Sequence, residues 1–392
     1  MSRTRRIFVA YLAAWAAITA AIFLHINVFG GIDDEFRGFG HLWHPYYFNL
    51  VYAVPGIPPA IWMARHAARR FGMRSDLGRT VALLAAAFTG WATGNAIWFL
   101  YNTCAEWGRL GCDHELTVPY PSWADLAYAS WNVCVLLAMA SLARAIGIRG
   151  RDVLRAWWAF VGVLAVTSWL SLPRIGLGWI ISPDYTTGET AFSLAYMLGH
   201  VLVMSAVLLV AIRSSRVLGG VLYLPTIVLL VAATLMYVAE FAFFRTIAND
   251  TFRNAQPVEG LYALALLLVP VAIFQFATVL VPSGASIAAS SGSGQSQLAT
   301  SVVTAQSRLL GGVAFELADR VDGLEVHAQD GRGVVTADDP ARAIGELLES
   351  FEQVSGAFGA EVSRLAAAPV LQRHPELDVP PSLQRTSVRA PV

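Results

Sequence analysis

The segment Ile7–Phe29 reads IFVAYLAAWAAITAAIFLHINVF, and it decides the fold class of this chain. A helix needs about 20 apolar residues to cross the hydrocarbon core of a bilayer, and this segment is long enough. It is too long for the apolar core of a secretory signal peptide, and no small-residue cleavage site follows it. We therefore expect a retained first membrane span.

Comparable apolar segments recur along the chain. Seven more of sufficient length lie near residues 46–64, 80–103, 123–146, 156–174, 190–212, 221–244 and 259–281. Composition agrees with this pattern, since 56% of the residues are hydrophobic and 14% are charged, which leaves little polar surface for a soluble protein. The sequence predicts an all-α integral membrane protein of the cell (plasma) membrane. We expect about eight transmembrane helices, with the lipid bilayer around them.

The basic residues predict the orientation. All 27 are arginine, and they cluster before the first span and after the second, fourth and sixth spans. Because arginine-rich loops stay on the cytoplasmic side, we expect both termini in the cytoplasm. The absence of lysine excludes a retinal protein, which needs a Schiff-base lysine. A net charge of zero gives no reason to expect a nucleic-acid partner.

A short motif opens every second span, with a Tyr three residues after its first position. The spacing of about 66 to 76 residues fits a hairpin of two spans, so the chain is organised as four αα-hairpins. Either an internal fourfold repeat or a chance recurrence of common membrane residues explains the pattern. The four copies are Asn49-Leu-Val-Tyr52, Asp125-Leu-Ala-Tyr128, Ser193-Leu-Ala-Tyr196 and Glu259-Gly-Leu-Tyr262.

The composition changes after the membrane domain, residues 1–281. We expect a flexible Ser/Gly-rich linker at 282–306, a small α+β cytoplasmic module at 307–371 and a disordered tail at 372–392. The module pattern is a helix, two strands and a helix that starts at Asp339-Pro340. So small a module is marginally stable alone, so we expect a homodimer or packing of the module on the membrane domain. A cytoplasmic protein partner could bind through the same module.

One segment is distinctive: Trp98-x-x-Tyr101, followed by Pro119-Tyr-Pro-Ser-Trp-Ala-Asp125-Leu-Ala-Tyr128. Over about residues 90–146 the chain resembles the multi-span membrane input regions that precede diguanylate cyclase, phosphodiesterase or histidine kinase domains in actinobacteria and archaea. The resemblance implies a sensor. The C-terminal region departs from that family, because it has no cyclase, phosphodiesterase or kinase motif.

Candidate ligand-binding residues follow from polar groups in or near the spans, where an unpaired polar group costs several kcal/mol. We predict an outward-facing polar cavity for an unidentified small molecule. Asp125 has a second interpretation, since Ser122-x-x-Asp125 is the pattern of a helix-capping box. The candidates are Asn95, Trp98, Tyr101, Asp125, Tyr128, His200, Glu240, Glu259 and Tyr262.

Other residue types point away from catalysis. No hydrolase or phosphate-binding motif occurs, and we expect no cofactor or metal site. An enzyme whose active site is assembled from Asp, Glu, His and Tyr of several spans is the alternative to a protein without catalytic activity. Cys104 and Cys112 share an outer loop and could form a disulfide on the oxidising side. Tryptophans such as Trp91 are expected to anchor the membrane interface.

The sequence thus predicts a sensory or signal-transducing membrane protein. A small-molecule or ion transporter is an alternative, because Pro55, Gly56, Pro58 and Pro59 interrupt the second span in mid-membrane. A third possibility is a scaffold that the spans merely anchor and that acts through its C-terminal tail.

Overall fold

The computed structural model describes residues 3–29, 46–71, 73, 76–107, 121–145, 148, 158, 160–165, 186–217, 222–248, 255–278, 293–310, 313–327 and 332–384. These residues divide into two compact units, one with most of the membrane helices and one with the C-terminal elements. The first unit contains α1 (Arg3–Leu24, continued by a π-helical turn His25–Phe29), α2 (Tyr46–Ala53), α3 (Ile57–Phe71), α4 (Asp76–Trp107) and most of α5 (Trp123–Ala145), α6 (Thr187–Val217), α7 (Tyr223–Ala248) and α8 (Pro257–Thr278). The second unit includes one end of each of α5, α6, α7 and α8.

Six described helices are long and apolar enough to cross a membrane, which confirms a multi-pass, helical membrane protein. The predicted fifth span, 156–174, falls mostly outside the described residues, although 160–165 are helical. The predicted second span is divided into α2 and α3 and is not one of the six. The six segments are Arg6–Val28, Asp76–Asn102, Trp123–Arg144, Thr187–Arg213, Tyr223–Thr246 and Pro257–Ala277.

Prolines explain why the second span is divided. In a continuous helix the carbonyls of Val51 and Pro55 would accept from the residues four positions later, but both of those are prolines without an N–H. Helix α1 supplies the missing donors: the Trp15 indole N–H donates to the Val51 carbonyl at 2.8 Å, and the Tyr11 hydroxyl donates to the Pro55 carbonyl at 2.6 Å. Side chains of α1 therefore stabilise the break between α2 and α3.

Gly56 lies at the same break, in the 3-10 turn Val54–Gly56. A Cβ atom at this position would stand 2.1 Å from the Phe88 ring and 2.6 Å from the Trp15 ring. Only a residue without a side chain fits, since small residues let membrane helices approach closely. The broken span therefore packs directly against α1 and α4.

The C-terminal unit contains α9 (Gly294–Leu310), α10 (Val313–Asp319), β1 (Leu324–His327), β2 (Arg332–Val335), α11 (Pro340–Arg373) and α12 (Pro381–Gln384). The two strands pair antiparallel, with Leu324 opposite Val335. Asp339 caps α11 by accepting from the Arg342 N–H at 3.1 Å, and Pro340 occupies the first turn. This start agrees with the sequence-based expectation.

Two boundaries differ from that expectation. Residues 294–306, predicted as part of a flexible linker, are helical, because Leu298, Val302 and Val303 form a buried stripe at helical spacing. The tail predicted to be disordered from 372 has described structure up to 384, and Leu383 is buried. The Ser/Gly-rich composition predicted a linker, and the apolar residues that recur at helical spacing just after it were not recognised as a helix.

Candidate functional site

The tyrosines of the four repeated motifs meet in the interior of the membrane unit. They come from α2, α5, α6 and α8. Tyr262 interacts electrostatically with Tyr52 and Tyr196, and Tyr52 interacts with Tyr128. Equivalent positions of the four predicted hairpins therefore reach one place, as a repeated architecture requires.

Trp91 of α4 stands among these tyrosines. Its ring centroid lies 4.8 Å from that of Tyr128, 5.6 Å from that of Tyr262 and 6.4 Å from that of His200. Trp91 is only 3% exposed, so the prediction of an interface anchor is wrong for this residue. Local sequence gave no sign of its position, which depends on the helices that surround α4.

Glu240 of α7 lies in the same interior and is 3% exposed. The Tyr196 hydroxyl donates to its Oε1 at 3.1 Å, and the Tyr262 hydroxyl also hydrogen-bonds this carboxyl group. His200 Nε2 lies 3.9 Å from the same Oε1, which is beyond hydrogen-bond distance. Two hydroxyls thus orient the carboxyl group, and an imidazole faces it across a gap.

Glu259 in the first turn of α8 is the second buried carboxyl group, again 3% exposed. It accepts from the backbone N–H of Ala255 and from the side chain of Asn49. Through the Ala255 bond, the Glu259 side chain reaches back from the first turn of α8 and fixes the segment that precedes the helix. The Asn49 bond links α8 to α2.

Tyr52 extends this network into α4. Its hydroxyl lies 2.9 Å from Asn49 Oδ1 and 2.6 Å from Asn95 Oδ1, and it donates to these acceptors with its single hydrogen. The Asn95 amide donates in turn to the Trp91 carbonyl at 3.0 Å. All of these side chains are buried. We use the name intramembrane cluster for Asn49, Tyr52, Trp91, Asn95, Tyr128, Tyr196, His200, Glu240, Glu259 and Tyr262.

Some polar atoms of the cluster have no hydrogen-bond partner in the part of the chain that the structure describes. These are His200 Nε2 and Trp91 Nε1, and both atoms are inaccessible to solvent. Leaving a buried polar group unsatisfied costs about 1–3 kcal/mol, so such atoms are rare and require an explanation. Trp131 Nε1 and Asn132 Oδ1 on the neighbouring α5 are also unsatisfied.

Asp125 forms the predicted capping box at the start of α5. Its Oδ2 accepts from the Ser122 N–H at 2.7 Å and from the Ser122 hydroxyl at 2.6 Å, and the Asp125 N–H donates to Ser122 Oγ at 3.3 Å. The carboxyl group also interacts electrostatically with Tyr128 and Glu240. Asp125 therefore caps α5 at the margin of the intramembrane cluster.

The structure brings together Asn95, Tyr128, His200, Glu240, Glu259 and Tyr262 from the predicted site. Trp98 and Tyr101 lie about one and two turns beyond Asn95 on α4 and are partly exposed. The predicted outward-facing cavity is closed at Glu240 and Glu259. The pairing of Cys104 with Cys112 falls outside the described residues.

Sequence reasoning missed four members of the intramembrane cluster: Asn49, Tyr52, Trp91 and Tyr196. The repeated motif contained a signal for three of them, because it places Asn49, Tyr52 and Tyr196 at positions equivalent to predicted site residues. The arrangement offers two carboxyl groups, several hydroxyls and an imidazole, which can bind a small polar molecule. No protein-family model, curated protein or solved structure matches this chain.

Proposed function

We propose that this chain is a sensory or signal-transducing membrane protein that binds a small polar ligand in the intramembrane cluster. One observation carries the proposal: the cluster is assembled from six helices, yet His200 Nε2 and Trp91 Nε1 remain without partners inside it. Most buried polar atoms are satisfied, so two unsatisfied atoms in one cluster point to a missing partner. A ligand would supply the missing partners.

The proposed topology has eight spans with both termini in the cytoplasm, as the arginine distribution predicts. In this topology the cluster lies near the outer surface. Glu240 is six residues from the outer end of the span Tyr223–Thr246, and Glu259 is two residues from the start of Pro257–Ala277. A ligand would reach the site from outside after a local opening.

Signal output would use the C-terminal unit, which we propose is a cytoplasmic α+β module with a protein partner or a second copy. A ligand that prefers one helix arrangement shifts the equilibrium towards it. Helix α8 carries Glu259 and Tyr262 and ends at Thr278, and α9 begins at Gly294. A movement of α8 would therefore act on the chain segment that leads directly to the module.

A thermal-shift screen of the detergent-purified full chain tests the proposal. Small metabolites, lipid headgroups and salts are added to the wild type, to Glu240→Gln and to Glu189→Gln. A ligand stabilises the state that binds it. We expect a stabilising compound that acts on the wild type and on Glu189→Gln but not on Glu240→Gln.

Glu189 is the matched control, because it caps a membrane helix through Thr186 and lies outside the cluster. Gln retains the capping-box pattern, so this variant changes the charge alone. If no compound stabilises the wild type, the cluster is structural and the scaffold alternative replaces the sensor.

A transporter is the second candidate function, and the break between α2 and α3 favours it. Broken membrane helices beside buried acidic residues are common at transport sites. Uptake into proteoliposomes distinguishes the two functions, because a sensor binds its ligand without accumulating it inside the vesicle.

We also propose that Cys104 and Cys112 form a disulfide in an outer loop. A disulfide is expected where a loop faces an oxidising compartment. Labelling of intact cells with a membrane-impermeant maleimide, before and after reduction, measures both the pairing and the side of the membrane. Labelling of these residues only after reduction supports both proposals.

A further inference from the structure

The two buried carboxyl groups of the intramembrane cluster have only neutral partners. Glu240 is hydrogen-bonded by Tyr196 and Tyr262, and Glu259 by Asn49 and the Ala255 N–H. Among the described residues, no arginine pairs with either carboxyl group. The chain has no lysine, so arginine and histidine are its only cationic side chains.

Charge balance therefore favours a positively charged guest. A buried carboxylate is strongly unfavourable unless an opposite charge lies close to it. Asp125 adds a third acidic group that interacts with Glu240. A bound cation would stabilise the ionised form of these groups, whereas an anion would be repelled by any of them that is ionised.

The distance between His200 and Glu240 indicates which hydrogen bonds a bound molecule could form with these two side chains. His200 is 2% exposed, its Nε2 has no partner, and 3.9 Å separates this atom from Glu240 Oε1. Neither atom can satisfy the other at this distance. A guest with two N–H groups could donate to the carboxylate oxygen and to a neutral imidazole nitrogen together.

The aromatic rings add a second contribution to the binding of a cation. Cations bind favourably over the face of Trp or Tyr within about 6 Å of the ring centroid. Three rings stand together in the cluster, since the Trp91 ring centroid lies 4.8 Å from that of Tyr128 and 5.6 Å from that of Tyr262.

Trp91 Nε1 indicates one more feature of the guest. This N–H is a donor without an acceptor, and indole nitrogen can only donate. A hydroxyl oxygen on the guest would accept from it. A short amino alcohol therefore matches more of the unsatisfied atoms than a simple amine does.

We propose that the intramembrane cluster binds a small organic ammonium ion, which donates N–H groups to Glu240 and His200 and lies against the faces of the surrounding aromatic rings. The inference rests on the proposed function, because it names the ligand class of the same site. An ammonium ion that also carries a hydroxyl group, such as ethanolamine, would pair with more of the unsatisfied atoms than a simple amine would.

The test is a titration of the purified full chain, in an amine-free phosphate buffer at constant ionic strength, followed by melting temperature. The probes are methylammonium, ethanolamine, choline, sodium and formate. We expect methylammonium and ethanolamine to stabilise the wild type, ethanolamine at lower concentration. Choline has no N–H group, and sodium and formate lack the required chemistry, so these three should have no effect.

Three variants decide the assignment. In Glu240→Gln and in Glu259→Gln, loss of a charged partner should weaken the apparent affinity for ethanolamine at least about tenfold. Glu189→Gln should retain the wild-type response. The second cluster variant keeps the test decisive if Glu240→Gln does not fold.

Each other outcome overturns the inference. Equal stabilisation of wild type and Glu240→Gln by ethanolamine would mean non-specific binding. If pH alone changes the melting temperature and amines do not, protons neutralise the carboxyl groups instead. If the broader screen finds a neutral or anionic compound that requires Glu240, the proposed function stands and the ammonium assignment fails. If no compound binds, both fail.

Discussion

The two units of the molecule differ in how their buried polar side chains are hydrogen-bonded, although Gln306 Oε1 of the C-terminal unit also lacks a partner among the described residues. In the C-terminal unit, the Ser301 hydroxyl donates to the Ala366 carbonyl at 2.6 Å, and Thr300 Oγ1 both donates to the Gly333 carbonyl and accepts from its N–H at 3.0 Å. In the intramembrane cluster, His200 Nε2 and Trp91 Nε1 have no partner. The satisfied contacts hold elements of the C-terminal unit together, whereas the two unsatisfied atoms of the cluster are the ones to which we propose that a ligand binds.

The largest effect is expected for Thr300→Val, which tests the structural half of this comparison. Valine keeps the shape of the side chain but leaves two polar groups of the buried residue Gly333 without partners, at a cost of about 3 kcal/mol. Faster backbone hydrogen exchange in β2 of the full chain measures the loss. Thr336→Val changes an exposed Thr and should leave the exchange unchanged. Unchanged exchange in Thr300→Val would contradict the comparison.

Gly94→Ala comes next and tests packing in the membrane unit. A Cβ atom here would lie 2.5 Å from the Tyr128 ring, so the ring must move or the helices must separate. Overpacking of this kind costs about 2 kcal/mol. The melting temperature should fall, and the ligand response should weaken with it.

Gly162→Ala is the matched control for that variant, because no atom of the described residues lies within 4 Å of a Cβ atom at Gly162. It should melt at the wild-type temperature or slightly above it, since Ala favours a helix more than Gly does. Equal melting temperatures of the two variants would mean that Tyr128 is not held by close packing.

Ser122→Ala has a smaller effect and decides whether Asp125 belongs with the caps or with the ligand site. Loss of the capping box should cost about 1 kcal/mol. The melting temperature should decrease, while ethanolamine should still stabilise the variant as much as the wild type. Loss of the ligand response would place the start of α5 in the binding site and would weaken the distinction between the two kinds of polar contact.

Glu361 of α11 gives the smallest expected effect, and it depends on pH. Burial raises the pKa of this carboxyl group, although Arg364 opposes the shift from 2.6 Å. Because the folded state holds this proton more tightly than the unfolded state does, stability should fall as pH rises from the ordinary Glu pKa to the folded one.

Glu361→Gln should remove that dependence and change the stability of α11 by only about 0.5 kcal/mol. Hydrogen exchange in α11 at pH 4 and pH 7, corrected for intrinsic exchange rates, measures both quantities. A steeper pH dependence in the variant would reverse the assigned sign.

The membrane helices could be predicted from sequence because hydropathy is a local property. The division of the second span also had a local cause, in Pro55 and Pro59. The position of Trp91 could not be predicted, since its burial results from the helices that meet around α4. The repeated tyrosines did contain part of the site, but only their convergence in space connects Tyr52 and Tyr196 with Glu240.

The C-terminal boundary shows the converse error. Ser/Gly composition between 282 and 306 predicted a flexible linker, yet Leu298 and Val302 are fully buried within α9. The cause is contact with distant segments, as in the hydrogen bond from Ser301 to the Ala366 carbonyl. Composition is a property of one segment, whereas the burial of a helix face depends on the distant segments that pack against it.

The break between α2 and α3 has a consequence for the order of biosynthesis. The carbonyls of Val51 and Pro55 are satisfied by Trp15 and Tyr11 of α1, which leaves the ribosome before them. In the proposed eight-span topology, the second span would enter the lipid with two bare carbonyls until α1 lies beside it, and each would cost several kcal/mol. Insertion of this hairpin should therefore be concerted, with the first span waiting at the translocon until the second arrives.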